Sequence, residues 1–354
     1  MALTILLKGL EIIFSFNKRS PDLILEFCMS NLSLTNRLFY QLKPWIPRPL
    51  QILLRRRIAS QKRQICQDTW PILSKAGEPP ANWSGWPEQK KFAIVLSHDV
   101  EWDRGQQRCI QLLQLEQSLG FRSAFNFVPE RYRVSPDIRN YIVGQGFEVA
   151  VHGLYHDGKL YSSLPVFQER AQKINRYLAE WGAVGFCAPS SHHVLEWNHI
   201  LNIAYDSSTF DTDPFESQPD GVETIFPFWV SDASKVDSTG GYVELPYTLA
   251  QDFYLFVVLQ EKTNELWKRK LEWIAERGGM ALLITHPDYI CFDERKPGNE
   301  EYAVEHYADF LRYVQTRYAG QYWNALPREV ADFEKQRIQD SGRCGEPETD
   351  LVLA

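Results

Sequence analysis

From Phe92 onward the chain alternates between two kinds of apolar pattern. Short continuous apolar runs occur at Phe92–Ser97, Ser123–Val128, Phe147–Val151, Val184–Cys187, Tyr242–Leu245 and Met280–Thr285. Each has the length of a buried strand. Between them, apolar residues recur every three or four positions, as on one face of a helix. Leu112, Leu115 and Leu119 share such a face, and Gly120 ends it. Ser135-Pro136-Asp137 opens another, with Pro at the first helical position. A third starts at Pro165, runs through Ile174, Leu178 and Trp181, and stops at Gly182; Glu261–Arg277 and Glu301–Tyr318 complete the series. Strands alternating with helices predict an α/β fold, a parallel sheet under helical cover. The stretch from Ala188 to Asp220 is polar and turn-rich, and the tail after Lys335 is expected to be loose.

The first ninety residues differ. In Met1–Phe16, Leu6, Leu10, Ile13 and Phe14 fall at helical spacing, but Lys8 and Glu11 interrupt the apolar run. That predicts an amphipathic helix and excludes a spanning helix or a good signal peptide. Pro44, Pro47 and Pro49 break the pattern, and a basic cluster follows at Arg55, Arg56, Arg57, Lys62 and Arg63. This predicts a helical arm packed on the main domain; the alternative is peripheral membrane contact, with the basic arm docked on anionic lipid. Pro79, Pro80, Trp83, Gly85, Trp86 and Pro87 read as an ordered linker. The expected organisation is a helical extension and linker over 1–90, one domain over 91–335, and a polar tail over 336–354.

Composition narrows the classes. With 44% hydrophobic and 23% charged residues, the chain has the balance of a globular protein, not of a disordered or multi-span one. A net charge of -7 leaves no global basic footprint, so no nucleic-acid partner is expected. The six cysteines, Cys28, Cys66, Cys109, Cys187, Cys291 and Cys344, include no CxxC pair. That argues against a thiol zinc site and for a reducing, cytoplasmic setting, at the inner membrane face if the arm docks there. Among the 11 tryptophans, Trp197 and Trp229 suit either sugar stacking or, the expected reading, core packing.

Chemistry clusters at the predicted strand ends. Phe92–Ser97 runs into His98-Asp99-Val100-Glu101, and Phe147–Val151 into His152-Gly153-Leu154-Tyr155-His156. Val184–Cys187 runs into Ala188-Pro189-Ser190-Ser191-His192-His193, and Met280–Thr285 into His286-Pro287. In a parallel barrel the strand carboxyl ends share one face, where side chains distant in sequence converge. His152 and His156 are four apart, a spacing that on a helical turn presents both imidazoles to one cation. Asp99 or Glu101 can add an oxygen. Two His and a carboxylate leave positions open for water, as hydrolytic zinc sites do. A second carboxylate can then act as base, and His286, alone on its strand end, as acid. The acidic segment Asp206–Glu216 reads as a solvated, side-chain-capped loop, with Asp211 and Asp213 as alternative groove or cation ligands.

This ordered series resembles the polysaccharide deacetylase family, the NodB-homology group, over roughly residues 91–330. Leu96–Glu101 is similar to its Asp-bearing strand end and His152–His156 to its His-(Ser/Thr)-x-x-His motif. Cys187-Ala188-Pro189 is similar to its Arg-x-Pro motif, Tyr205–Ser208 to its later Asp-bearing segment, and Leu283–His286 to its Leu-x-x-His motif. The resemblance implies a distorted, incomplete (β/α) barrel with an N-terminal helical extension. It implies a metal-dependent hydrolase of carbon–nitrogen bonds that removes an acyl group, N-acetyl in most members, from a saccharide. By resemblance Asp99 is the general base, His286 the general acid, and His152 and His156 the imidazole ligands of one divalent ion, zinc. Where the common form has a second Asp, this chain has Val100. Strand alternation puts Glu101 on the side of Asp99, so Glu101 is the expected carboxylate ligand, with Asp99 itself as the alternative. Pro189, His192, His193 and Asp206 are the expected substrate-binding residues.

Three departures bear on function. Gly153 stands in place of the hydroxyl residue, Cys187 in place of the Arg that orients the base, and Glu101 in place of Asp. His192 and His193 are candidate substitutes for the Arg. Two other functions fit the motifs: an amidase of the same fold acting on a small molecule, and a non-catalytic carbohydrate-binding relative.

Overall fold

The structure, a computed structural model, describes residues 47–232, 240–293 and 296–340. Two compact units divide the chain, residues 1–55 and 56–354, and the sheet lies in the second. Its strands are β1 (Phe92–Val100), β2 (Ala124–Phe127), β3 (Glu148–His152), β4 (Gly185–Cys187), β5 (Tyr205–Asp206), β6 (Phe228–Ser231), β7 (Gly241–Glu244), β8 (Met280–Thr285), the short pair β9 (Ile290–Cys291) and β10 (Tyr302–Ala303), and β11 (Tyr322–Ala325). Neighbours run β11-β1-β2-β3-β4-β5-β7-β6, with β8 on the other side of β1. All these pairings are parallel except β6 with β7. A bridge from Leu249 to Leu283 brings the chain after β7 back to β8. The result is a curled sheet of parallel strands, an incomplete (β/α) barrel.

Alternation along the strands sorts the core. Ala93, Val95, Cys187, Tyr205, Val243, Leu282, Ile284 and Ala325 form one cluster inside the curl. Val151 and Phe186, on the other face, pack under the helix Leu164–Trp181 through Phe167, Ala171, Ile174 and Leu178. That helix ends at Gly182 in the left-handed conformation, as the pattern predicts. The helices Pro136–Gly144, Glu265–Arg277 and Glu305–Arg317 match predicted segments, the last two starting four residues later than expected. Patterning missed β6 and β11, each four residues long and only partly buried, so neither forms a long apolar run.

Two expectations are corrected. Pro49 falls in the first turn of the helix Arg48–Ile65 and does not break it, because the first turn needs no proline N–H. The chain past Lys335 is helical to Asp340, and Arg337 forks onto Glu334 at 2.8 and 2.7 Å. In the segment read as a linker, Trp86 belongs to the inner cluster with Trp83 packed against it, and Trp86 donates its indole N–H to Gly278 O at 2.7 Å. Of the basic cluster, Arg56 donates to Val257 O, Lys62 to Pro214 O, and Arg63 pairs with Glu261. The amphipathic segment Met1–Phe16 lies outside the described residues. Among the described residues no helix is long and apolar enough to cross a membrane.

Candidate active site and metal centre

The site forms where β1, β3, β4 and β8 end. β1 continues to Val100, so Asp99 is still on the strand, with Glu101 just past its end. Val100 is fully buried on the opposite face. His152 is the last residue of β3, and His286 directly follows β8. The sequence expectation of a helical turn from His152 to His156 is wrong. The segment is a loop in which Gly153 has φ +60 and His156 φ +54. Those two left-handed residues fold the chain back, and the rings meet with centroids 5.2 Å apart.

Donor atoms of Glu101, His152 and His156 all lie within 4.8 Å of one another. His152 Nδ1 is 3.0 Å from Cys187 O. A carbonyl only accepts, so Nδ1 carries the hydrogen and Nε2 presents its lone pair. Burial outweighs the nearby Asp99 charge and pushes the His152 imidazole down to about 4, which keeps it neutral and fit to ligate. His156 Nε2 lies 2.8 Å from Glu101 Oε1, yet it is buried without a partner in hydrogen-bonding geometry. Two ligand-type atoms this close can share one cation lying to the side of both. The donor set of two imidazoles and a carboxylate, with an orphaned nitrogen among them, therefore fits one divalent ion of the zinc type. A second group, Asp99, His152 and Cys187, shares His152 but offers only one imidazole.

Glu101 is held from the other side by residues that sequence reasoning missed. Tyr289 donates its hydroxyl to Glu101 Oε2 at 3.0 Å. Asp288 accepts from the Glu101 N–H at 2.9 Å and from the Gly105 N–H at 3.1 Å. A Cβ at Gly105 would come within 2.3 Å of the Asp288 carboxylate, so only glycine allows that approach. Burial and the Glu101 charge push Asp288 up to about 6. Burial alone would raise Glu101, but His156, His286 and His152 outweigh it and hold the carboxyl well below its usual range.

Asp99 receives a hydrogen bond from Asn126 on the neighbouring β2 at 2.7 Å, and Asn126 also reaches Ser97 at 2.8 Å. Its other oxygen lies 3.7 Å from His152 Nε2 and 3.8 Å from Cys187 Sγ. The thiol, raised well above its usual range by burial and by Asp99, stays neutral and sits 3.2 Å from Ser207 O. Asn126, not a histidine, thus orients the carboxylate that lacks its Arg. His286 rests on Asp252, which accepts from its Nδ1 at 2.7 Å and from its backbone N–H at 2.8 Å. Tyr302 donates to the same Asp252 carboxylate at 2.9 Å. Burial would lower His286, but Asp252 outweighs it, with help from Glu101 and Asp99, and pushes the imidazole up to about 10. Asp252 follows a run with no strand signal, so nothing in the local sequence marked it.

The remaining expected residues divide. Pro189 and His192 line a cavity of about 270 Å³, counting its open mouth, together with His156, Tyr155, Tyr161 and Arg170. His192 Nε2 contacts Ser217 Oγ at 2.7 Å, and His193 Nδ1 contacts Ser191 O at 2.9 Å, so each is engaged by a loop partner. Asp206 is not brought to the site. Tyr205 takes the inner side of β5, which turns Asp206 to the outer face beside Asn198, Ser208 and Glu244. Burial and Glu244 push Asp206 well above the usual carboxylate range. Asp211 and Asp213, expected on a solvated loop, are buried: Asp211 pairs with Lys270, and Asp213 accepts from Tyr247 at 3.0 Å. Trp197 packs beside Tyr161 and Phe167, the core role expected of it.

Gly153 has a steric reason. A Cβ there would lie 2.6 Å from Pro189 Cδ, and its φ is left-handed. Gly153→Ser, which restores the hydroxyl of the resembling motif, is expected to lower stability by about 1–3 kcal/mol. It should also weaken metal retention, because Pro189 must shift and the His152–His156 loop with it. Thermal melting and zinc titration of the two proteins check this; equal melting points and equal affinity count against it.

No protein-family model matches the chain, and no curated protein matches it either. Solved structures do. One described as a polysaccharide deacetylase from Mycobacterium smegmatis aligns with a TM-score of 0.56 at 18% identity, covering 73% of this chain and 95% of that one. A polysaccharide deacetylase structure from Pseudomonas aeruginosa gives 0.53 at 17%, covering 77% and 98%. The Puue allantoinase structure gives 0.54 at 14%, covering 74% and 96%. The chain therefore has the polysaccharide deacetylase, or NodB-like, fold, at identities that speak to fold alone.

Proposed function

We propose that the protein is a metal-dependent hydrolase that removes an acyl group, N-acetyl first among them, from a saccharide. The observation that carries this is the convergence of Glu101, His152 and His156 within 4.8 Å, beside Asp99 and a charged His286. Glu101, His152 and His156 would hold the ion; Asp99 shares only one imidazole with Cys187 and is left free to act as base. When bound by those three residues, a divalent ion would supply Lewis-acid polarisation of the acyl oxygen and lower the pKa of a bound water. Asp99, oriented by Asn126, takes the proton of the attacking water. His286, kept protonated by Asp252, donates to the departing nitrogen. Cys187 and the buried strand ends exclude bulk water from Asp99 without adding charge.

The allantoinase likeness favours one second reading, a hydrolase of small cyclic amides with the same residues. Purified full-length protein, loaded with zinc, is expected to release acetate from N-acetylated chitooligosaccharides and to lose that activity on chelation. Turnover of allantoin with no acetate release selects the second reading. Absence of both activities with zinc bound at the cluster points to a non-catalytic binder.

A further inference from the structure

Against the His156 backbone lies a cation that the proposed chemistry does not use. Arg131 lies beyond β2 and donates from Nη1 to the carbonyl of His156 at 3.4 Å. Its guanidinium sits 3.4 Å from the ring centre of Trp102, the residue after Glu101. Trp102 is still 45% exposed with that cation on its face. Arg131 is half-buried and forms no ion pair among the described residues. It feels the charges of Glu101 and Asp288, but neither carboxylate is within ion-pair reach. Asp288 is already taken by two backbone N–H groups and by Arg104, whose Nε is 3.5 Å away. An Arg braced by a carbonyl and an indole, partly desolvated and left without a carboxylate, is set up to receive an anion. An exposed indole beside it offers a face to a sugar ring.

We infer that Arg131 and Trp102 select an N-acyl saccharide bearing an anionic substituent, carboxylate or phosphate, with the ring on Trp102 and the anion on Arg131. This rests on the saccharide reading above and narrows it to acidic sugars. The guanidinium lies against the carbonyl of one metal-ligand candidate and the neighbour of another. A substituent held there is therefore within a sugar's breadth of the reacting acyl group.

The test is an NMR titration of the zinc-loaded full-length protein with N-acetylglucosamine, N-acetylmuramic acid and N-acetylglucosamine 6-phosphate. At least one charged sugar is expected to bind about tenfold tighter than the neutral one, the gain of one charge-assisted hydrogen bond; which one does tells carboxylate from phosphate. Arg131→Met should remove that preference with zinc content unchanged by elemental analysis, Arg131→Lys should keep part of it, and Trp102→Ala should weaken all three sugars. Equal binding of neutral and charged sugars overturns the inference while leaving the saccharide reading intact. A preference that survives in Arg131→Met means that the metal takes the anion, and also overturns it. No binding of any of the three overturns both readings.

Discussion

Alanine at position 152 is expected to strip the bound ion and to lower kcat/KM by about 10³-fold or more. The residue is the one imidazole common to both candidate donor groups. Its loss takes away the Lewis acid, which supplies several kcal/mol of transition-state stabilisation. At about 1.4 kcal/mol per tenfold, that is at least three decades. His98→Ala is the matched control. His98 is also a buried histidine of this region, but it bonds to Thr285 and Glu116 on the outer face of β1. Its loss should cost stability and leave zinc stoichiometry near the wild-type value. Elemental analysis and acetate release on the pair of variants decide the matter. Retention of zinc by His152→Ala removes the proposed mechanism.

Asp252→Asn should have the second largest effect. The carboxylate holds His286 protonated and fixes its ring; an amide of the same size removes the charge and offers a donor to Nδ1 in its place. A decrease in kcat of about 10²–10⁴-fold is expected, the range of a general acid. The alkaline limb of the pH profile should also move to lower pH. Stability follows the same sign. A histidine raised from 6.5 to about 10 contributes stabilisation that is complete below pH 6.5 and is lost as pH rises toward 10. Breaking such a buried pair from one side costs about 3–5 kcal/mol. Denaturant melts of the chelated protein at several pH values should therefore converge between wild type and Asp252→Asn as pH approaches 10. A constant gap across that range assigns Asp252 a packing role only.

Most of the frame was legible in the chain itself. The apolar runs Phe92–Ser97, Phe147–Val151 and Met280–Thr285 are buried on both faces, so each reads as an unbroken hydrophobic word, and their polar ends mark where the barrel opens. The side of β1 on which Asp99 and Glu101 lie follows from alternation alone. What escaped was carried by residues whose role depends on something far away in sequence. Asn126 matters because β2 pairs with β1 in a register that sets it opposite Asp99. Asp252 and Asp288 matter because the chain after β7 and β8 folds back under His286 and Glu101. Asp206 was misplaced because a two-residue strand gives too little alternation to read, and the larger Tyr205 claims the inner face.

The chain by itself determined the fold class, the alternation of strands and helices after Phe92 and which residues were candidate ligands, since periodicity and strand-end chemistry are local properties. Only the tertiary structure decided that a loop with two left-handed residues, not a helical turn, joins His152 to His156. It alone supplied Asn126, Asp252 and Tyr289 as the groups that hold Asp99, His286 and Glu101 in place. The reason is physical: a hydrogen bond between strands is set by register and curl, and neither is written in any single stretch of sequence.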